Sequence, residues 1–338
     1  MGSHRRHAPS SGSDRGAVAA AGLLSVTAAA LGAVPAAATP YDDTRAEVDR
    51  LYEEAEKATE AYNAADERAD GLRRQVRTAQ DGVARQQERI NAMRESLGSL
   101  AGAQYRSGGL DPSLALLLSD DPEDYLDKAS VLDRITVRQA GELRKLRGAL
   151  RSLAQDRAEA ARTLGALEKS RKAVAAHKRT VEGKLAEARR LLNSLPADER
   201  AAYDRATRSG RAHLLGPGAA APASARAAAA VAAARSALGR PYVWGANGPG
   251  GFDCSGLTQW SYAQAGVSLP RTSQAQRYAG RQVPLSEARP GDLVLYRSDA
   301  SHVGMYVGNG QVIHAPYPGA PVRYDPVGMM PVSSVTRV

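Results

Sequence analysis

The sequence predicts a chain in two parts: a long antiparallel α-helical hairpin, then a small domain in which a helix precedes a β-hairpin. Three observations carry this. From Val48 to Leu192 apolar residues recur at alternating steps of three and four, the period of a helical seam. Ten of the sixteen aromatic residues lie after residue 238, so one aromatic-bearing core sits at the C-terminal end. The length of 338 residues suggests about two domains at ~150 residues each. Hydrophobic residues at 43% exclude a wholly disordered chain. A single cysteine excludes an intrachain disulfide and any cysteine-rich zinc site. The net charge of +9 is basic without pointing to nucleic acid, and no recognition motif for it is present.

Residues 1–38 read as an export signal. Arg5, Arg6 and Arg15 form a basic leader, Gly16 to Val34 is an uncharged run of small and apolar residues, and Ala36-Ala37-Ala38 offers an A-x-A cleavage site. The competing reading is an uncleaved anchor, since such a run could just span a bilayer. Cleavage is the expectation, giving a secreted protein.

The hairpin is expected over 39–195. Its first arm follows Val48, Leu51, Ala55, Ala58, Tyr62, Ala65, Ala69, Leu72 and on to Leu97 and Leu100. The second follows Tyr125, Ala129, Leu132 and on through Leu153, Arg157, Leu164, Arg171, Lys178 and Leu185 to Leu192. Between them, residues 107–122 hold a Ser107-Gly108-Gly109 break, two Asp-Pro starts and the leucines Leu114, Leu116, Leu117 and Leu118. These leucines either close the hairpin or form a docking tip for a partner. Residues 196–224, centred on Gly216-Pro217-Gly218, read as a flexible linker. An Ala-rich helix from Arg226 to Leu238 opens the C-terminal domain, 225–338, and Gly239 ends it.

The chemistry falls in that domain. It contains the only cysteine, Cys254, and the histidines His302 and His314. Asp253 is a natural N-cap, so Cys254 lies in the first turn of a helix, where free N–H groups and the helix dipole favour a thiolate. Beside an imidazolium such a thiol falls from ~8.5 into the range ~3.5–7.5. In 302-HVGMYVGNGQVIHAP-316 a three-residue Gly308-Asn309-Gly310 loop pairs residues whose numbers sum to 618, setting Gly304 opposite His314 and His302 diagonally on the same face. A two-residue Asn309-Gly310 turn pairs residues summing to 619 and would put the imidazoles on opposite faces. One thiol and two histidines make a poor metal site, and no metal or cofactor is expected.

These residues sit in an ordered set of segments: Gly239-Arg240-Pro241-Tyr242-Val243-Trp244-Gly245, Phe252-Asp253-Cys254-Ser255-Gly256-Leu257, Arg271-Thr272-Ser273, Pro290-Gly291-Asp292-Leu293-Val294 and the His302–Pro316 hairpin. The set resembles the NlpC/p60 cysteine peptidases; Ala246 stands where that family often has a second glycine. The resemblance implies an α+β papain-like fold and hydrolysis of peptidoglycan stem peptides, typically between γ-D-Glu and the diamino acid. It implies Cys254 as nucleophile, His302 as general base and His314 as its orienting partner. Tyr242 would stand near the developing oxyanion, with Asp253, Ser255, Arg271 and Ser273 lining the substrate cleft. A basic domain, with ten Arg against five acidic residues from Ala225 on, suits anionic wall polymers. The helical arms are similar to the coiled-coil arms of secreted wall hydrolases controlled by a membrane complex. This implies a membrane partner at the tip and an arm that regulates or localises the peptidase. The alternatives are an N-acetylmuramoyl-L-alanine amidase of related fold and a non-catalytic wall-binding scaffold.

Overall fold

The computed structural model describes residues 40–106, 122–208 and 221–338. The export segment, all of the tip but Pro122, and the Gly-Pro-Gly stretch of the linker lie outside the described residues. Helix α1 (Pro40–Arg106) and helix α2 (Pro122–Ser194) run antiparallel. Cross-helix bonds fix their register: Ser170 donates to the Ala65 carbonyl at 2.8 Å, Gln86 to the Ala149 carbonyl at 3.3 Å, and Lys184 pairs with Glu54 at 2.6 Å. The first-arm seam follows the expected positions. Val48, Leu51, Ala55, Ala69 and Ile90 are fully buried, and only Leu100, at the far end, is exposed.

The second arm differs from its expected seam by one residue on every other turn. Leu153, Ala160, Leu167, Val174, Val181 and Ala188 face α1 as expected, and so does Leu185, but between Leu153 and Val181 the alternate positions are Asp156, Thr163, Ser170 and His177. Leu164 points outward, 55% exposed. A strict 3–4 alternation has two phasings, and the leucines favoured the wrong one. Small or long polar side chains fill the true positions because each finds a partner or reaches solvent, as Ser170 does on Ala65.

The segment expected as linker begins with a further helix, α3 (Ala197–Arg208). Pro196 precedes it, and Asp198 and Glu199 in its first turn favour the positive end of the helix dipole. It folds back on α1, pairing Glu199 with Arg45 and Tyr203 with Asp49.

The C-terminal domain has the α+β composition the resemblance implied. Helix α4 (Ala225–Ser236) is capped by Ser224, helix α5 (Cys254–Gln264) follows, and a short α6 (Ser273–Gln276) is capped by Thr272. Six antiparallel strands form one sheet: β1 (Arg281–Val283), β2 (Leu293–Tyr296), β3 (His302–Gly308), β4 (Gln311–His314), β5 (Arg323–Pro326) and β6 (Val332–Arg337). Their order is β1-β6-β2-β3-β4-β5. Leu293, Leu295, Val303, Met305, Val307 and Ile313 join Val231, Leu257 and Tyr262 of the helices in the main core. On the opposite face Val294, Tyr296, Val312 and Val335 bury a second cluster against the Val327–Val332 segment, and α1 covers the His302 ring there.

Candidate active site

Helix α5 is started by Asp253, whose Oδ1 accepts from the Gly256 N–H at 2.7 Å, so Cys254 is its first residue as expected. The Asp253 carboxylate is also held by Arg271 at 2.5 Å and 3.0 Å and by the Gly245 N–H at 3.0 Å. Arg271 donates to Ser255 Oγ at 3.0 Å. Asp253, Ser255 and Arg271 thus form one network beside the thiol. The Ser273 hydroxyl is used structurally, donating to the Ala300 carbonyl at 2.7 Å, while its backbone N–H faces the cleft. Tyr242 is buried in the same cluster as Cys254.

The β3–β4 pairing brings the histidines together. Met305 opposes Ile313 and Tyr306 opposes Val312, which is the expected register. The turn that produces it is different. Asn309 and Gly310 form a two-residue turn, both at positive φ, and an extra residue between Tyr306 and Gly308 bulges β3 to restore the even pairing. Gly304 therefore faces His314, and a Cβ on it would lie 3.3 Å from the Cβ of both His314 and Val312. With no side chain there, His302 Nε2 and His314 Nδ1 meet at 2.8 Å, rings nearly perpendicular. His314 Nε2 in turn meets Asp325 Oδ2 at 2.8 Å, and Arg323 holds the same oxygen at 2.7 Å.

The cleft is filled by α1. Besides its apolar seam this helix carries a second stripe on one face, Tyr52, Glu56, Thr59, Glu60 and Asn63, and all five are buried. Glu60 Oε1 accepts from Ser255 Oγ at 2.7 Å and lies 3.6 Å from Cys254 Sγ; its Oε2 accepts from the Ser273 N–H at 2.8 Å. One turn earlier, Glu56 Oε1 lies 3.0 Å from His302 Nδ1, and Oε2 accepts from Arg297 at 2.7 Å. Asn63 donates to Asp253 Oδ2 at 3.0 Å. Around this polar strip Tyr52 stacks on Tyr317 at 4.9 Å, and Tyr62 meets Trp244 edge-on at 5.1 Å.

Charge in the covered cleft reverses the thiolate expectation. Burial pushes the Cys254 thiol well above its ordinary value, and the carboxylates of Glu60, Asp253 and Glu56 add to it; the Val303 amide works the other way. Cys254 is 1% exposed, and here it is a thiol that donates to Glu60. Burial also lifts Glu60 to about 7, with Asp253 adding. Burial would raise Glu56 too, but His302 and Arg297 outweigh it and hold that carboxyl below its usual range. His314 is lowered to about 4, mainly by burial, so it is a neutral ring at pH 7. The Tyr242 phenol is pushed well up by burial and the nearby negative groups.

Residues 239–335 match the NlpC/P60 family. A stretch of 118 residues is 50% identical to a protein of Corynebacterium glutamicum named probable endopeptidase, covering 35% of this chain and 56% of that one. The C-terminal domain belongs to the NlpC/P60 family. A stretch of 94 residues is 54% identical to probable endopeptidase p60 of Listeria monocytogenes, covering 27% of this chain and 19% of the relative. The chain thus spans about half the length of the first of these relatives and a fifth of the second. Among solved structures, the NlpC/p60 domain of the peptidoglycan hydrolase SagA is 38% identical over 33% of this chain and 98% of its own, with a TM-score of 0.32.

Within this NlpC/P60 domain Cys254 contacts Ser255's partner Glu60, and His302 contacts His314. Five participants lay outside the sequence expectation: Glu56, Glu60, Asn63, Arg297 and Asp325. The first three had a signal, a 3–4 spacing of polar residues on α1, but polar spacing on a helix ordinarily marks its solvent face. Arg297 and Asp325 carried none. Among the described residues no cluster of His, Cys, Asp and Glu is arranged to hold a metal ion, and no helix is long and apolar enough to cross a membrane.

Proposed function

We propose that the chain is a secreted cysteine endopeptidase of the bacterial cell wall, cutting stem peptides at the γ-D-Glu–diamino acid bond, and that α1 in the cleft is its latent form. The observation that carries the reading is a thiol at the start of a capped helix, its sulfur against the amide of Val303, the residue after His302, which bonds His314 at 2.8 Å. With the cleft open, His302 takes the proton of Cys254 and the thiolate attacks the scissile carbonyl. The tetrahedral oxyanion is met by the Cys254 backbone N–H and the Tyr242 hydroxyl. The amine leaves with the proton from His302, and water activated by the same ring hydrolyses the thioester.

Glu60 explains latency in the same terms. Its carboxylate takes the Ser255 hydroxyl and the Ser273 N–H, donors that a bound stem peptide needs, and keeps Cys254 protonated. Substrate and α1 therefore compete for one cleft. A partner that engages residues 107–122 would act by drawing α1 away. Mass spectrometry of muropeptides digested by a chain starting at Ser224 tests the reading. A new N-terminal diamino acid is expected. Release of peptides with a free L-Ala amine would make the protein an amidase, and equal behaviour of Cys254→Ala would make it a scaffold.

A further inference from the structure

The imidazole pair ends in a carboxylate. His314 Nε2 lies 2.8 Å from Asp325 Oδ2, on the neighbouring strand β5, where Arg323 opposes His314 in the register and grips the same oxygen at 2.7 Å. The groups that face His314 are therefore Asp325, Arg323 and His302, with Glu56 beyond His302. We propose that Asp325 is a positioning residue of this site, acting through His314 to fix which nitrogen of each imidazole carries a proton; the inference rests on the peptidase reading above.

An ionised carboxylate only accepts hydrogen bonds, so His314 must present Nε2–H to Asp325. A neutral ring has one N–H, which leaves His314 Nδ1 as a lone pair. His314 is neutral at pH 7, since burial holds it near 4. The 2.8 Å contact between His314 Nδ1 and His302 Nε2 then needs its hydrogen from His302. With α1 out of the cleft, His302 is left with a lone pair on Nδ1, the atom that Glu56 covers at 3.0 Å in this structure. Thus a carboxylate two bonds away sets the proton-accepting atom of the base. When Nδ1 takes the proton from Cys254 Sγ, His302 becomes a cation, and the negative charge of Asp325 is felt through His314. The logic is that of an acid holding a catalytic imidazole in the right tautomer. Burial would raise the Asp325 carboxyl, but the His314 hydrogen bond and then the Arg323 guanidinium hold it below its ordinary value and in place.

The test uses the full chain labelled with 15N histidine, with Asp325→Asn as the isosteric variant and Asp325→Glu to restore the carboxylate. In Asp325→Asn the amide can donate to His314 Nε2, moving the ring proton to Nδ1 and reversing the order in His302. The expected ring-nitrogen shifts place the His314 proton on Nε2 in the natural chain and in Asp325→Glu, and on Nδ1 in Asp325→Asn. In a Glu56→Lys/Glu60→Lys background that frees the cleft, Asp325→Asn should lower kcat by roughly 100-fold or more with KM within about twofold, less than the ~10⁴ of a carboxylate bonded directly to the base because a second ring intervenes here. Its residual rate should rise with pH, and Asp325→Glu should recover most of it. A His314 proton that stays on Nε2 in Asp325→Asn, or a tautomer change with kcat untouched, overturns the proposal. If no chain hydrolyses wall, the peptidase reading fails by itself, and the nitrogen shifts still decide whether Asp325 sets the tautomers.

Discussion

At the residue scale the site depends on a missing side chain. Gly304 sits between the histidines, and a methyl group there would meet the Cβ of His314 and of Val312 at 3.3 Å, tighter than ordinary contact. Gly304→Ala should therefore push β4 from β3 and part the rings. The expected outcome is a stability loss of ~1–3 kcal/mol in urea unfolding, with at least a tenfold fall in wall hydrolysis. A variant that keeps full activity would show that the 2.8 Å histidine contact is dispensable. Cys254, His302 and His314 were legible because each is rare in the domain and lies in a short patterned segment. The strand register was legible too, since only one parity brings both rings to one face. The turn was not, because a bulge and a longer loop give the same parity. Asp325 was invisible: a lone aspartate on an irregularly spaced strand differs from a surface charge only once the sheet is assembled.

At the element scale α1 has two faces with different physics. The seam toward α2 buries Val48, Leu51, Ala55, Ala69 and Ile90, and it is stabilised by apolar area. The face toward the peptidase domain buries Glu56, Thr59, Glu60 and Asn63, whose desolvation offsets most of what their hydrogen bonds gain. The hairpin should thus be permanent and the cover reversible. Hydrophobic period reveals only the first face, which is why the arm was legible and its insertion in the cleft was not. The second arm was legible only to within its phase, because polar side chains occupy half of its seam. The cover also has a pH signature. In the cleft Glu60 titrates at about 7, whereas an exposed glutamate titrates near 4.5. The covered state binds that proton more tightly, so this contribution is full below about 4.5 and is lost as pH rises through about 7. Glu56 is shifted the other way, and its contribution is lost as pH falls below its ordinary range. Between these limits, raising the pH loosens the cover. Emission from Trp244, packed against Tyr62, should show a transition centred near 7 that Glu60→Gln removes. The same transition in Glu60→Gln would assign it to another group.

At the scale of the whole molecule, the proposed latency is a balance between one stripe of α1 and the walls of the cleft. Arg297 anchors it by meeting Glu56 at 2.7 Å, both nearly out of solvent. Arg297→Ala leaves a buried carboxylate beside His302 without its cation, a change that ordinarily costs ~3–5 kcal/mol in such pairs. The expected result is a more open cleft, read as iodoacetamide labelling of Cys254 at least tenfold faster at pH 8. Unchanged labelling would mean that the cover does not depend on this pair. The measurement that bears most directly on the account is wall clearing by the full chain carrying Glu56→Lys and Glu60→Lys, run beside the natural chain and beside the same double variant with Cys254→Ala. The account predicts slow clearing by the natural chain, rapid clearing by the double variant and none once the thiol is removed. Equal clearing by the natural chain and the double variant would contradict the cover, and clearing that survives the loss of Cys254 would contradict the nucleophile.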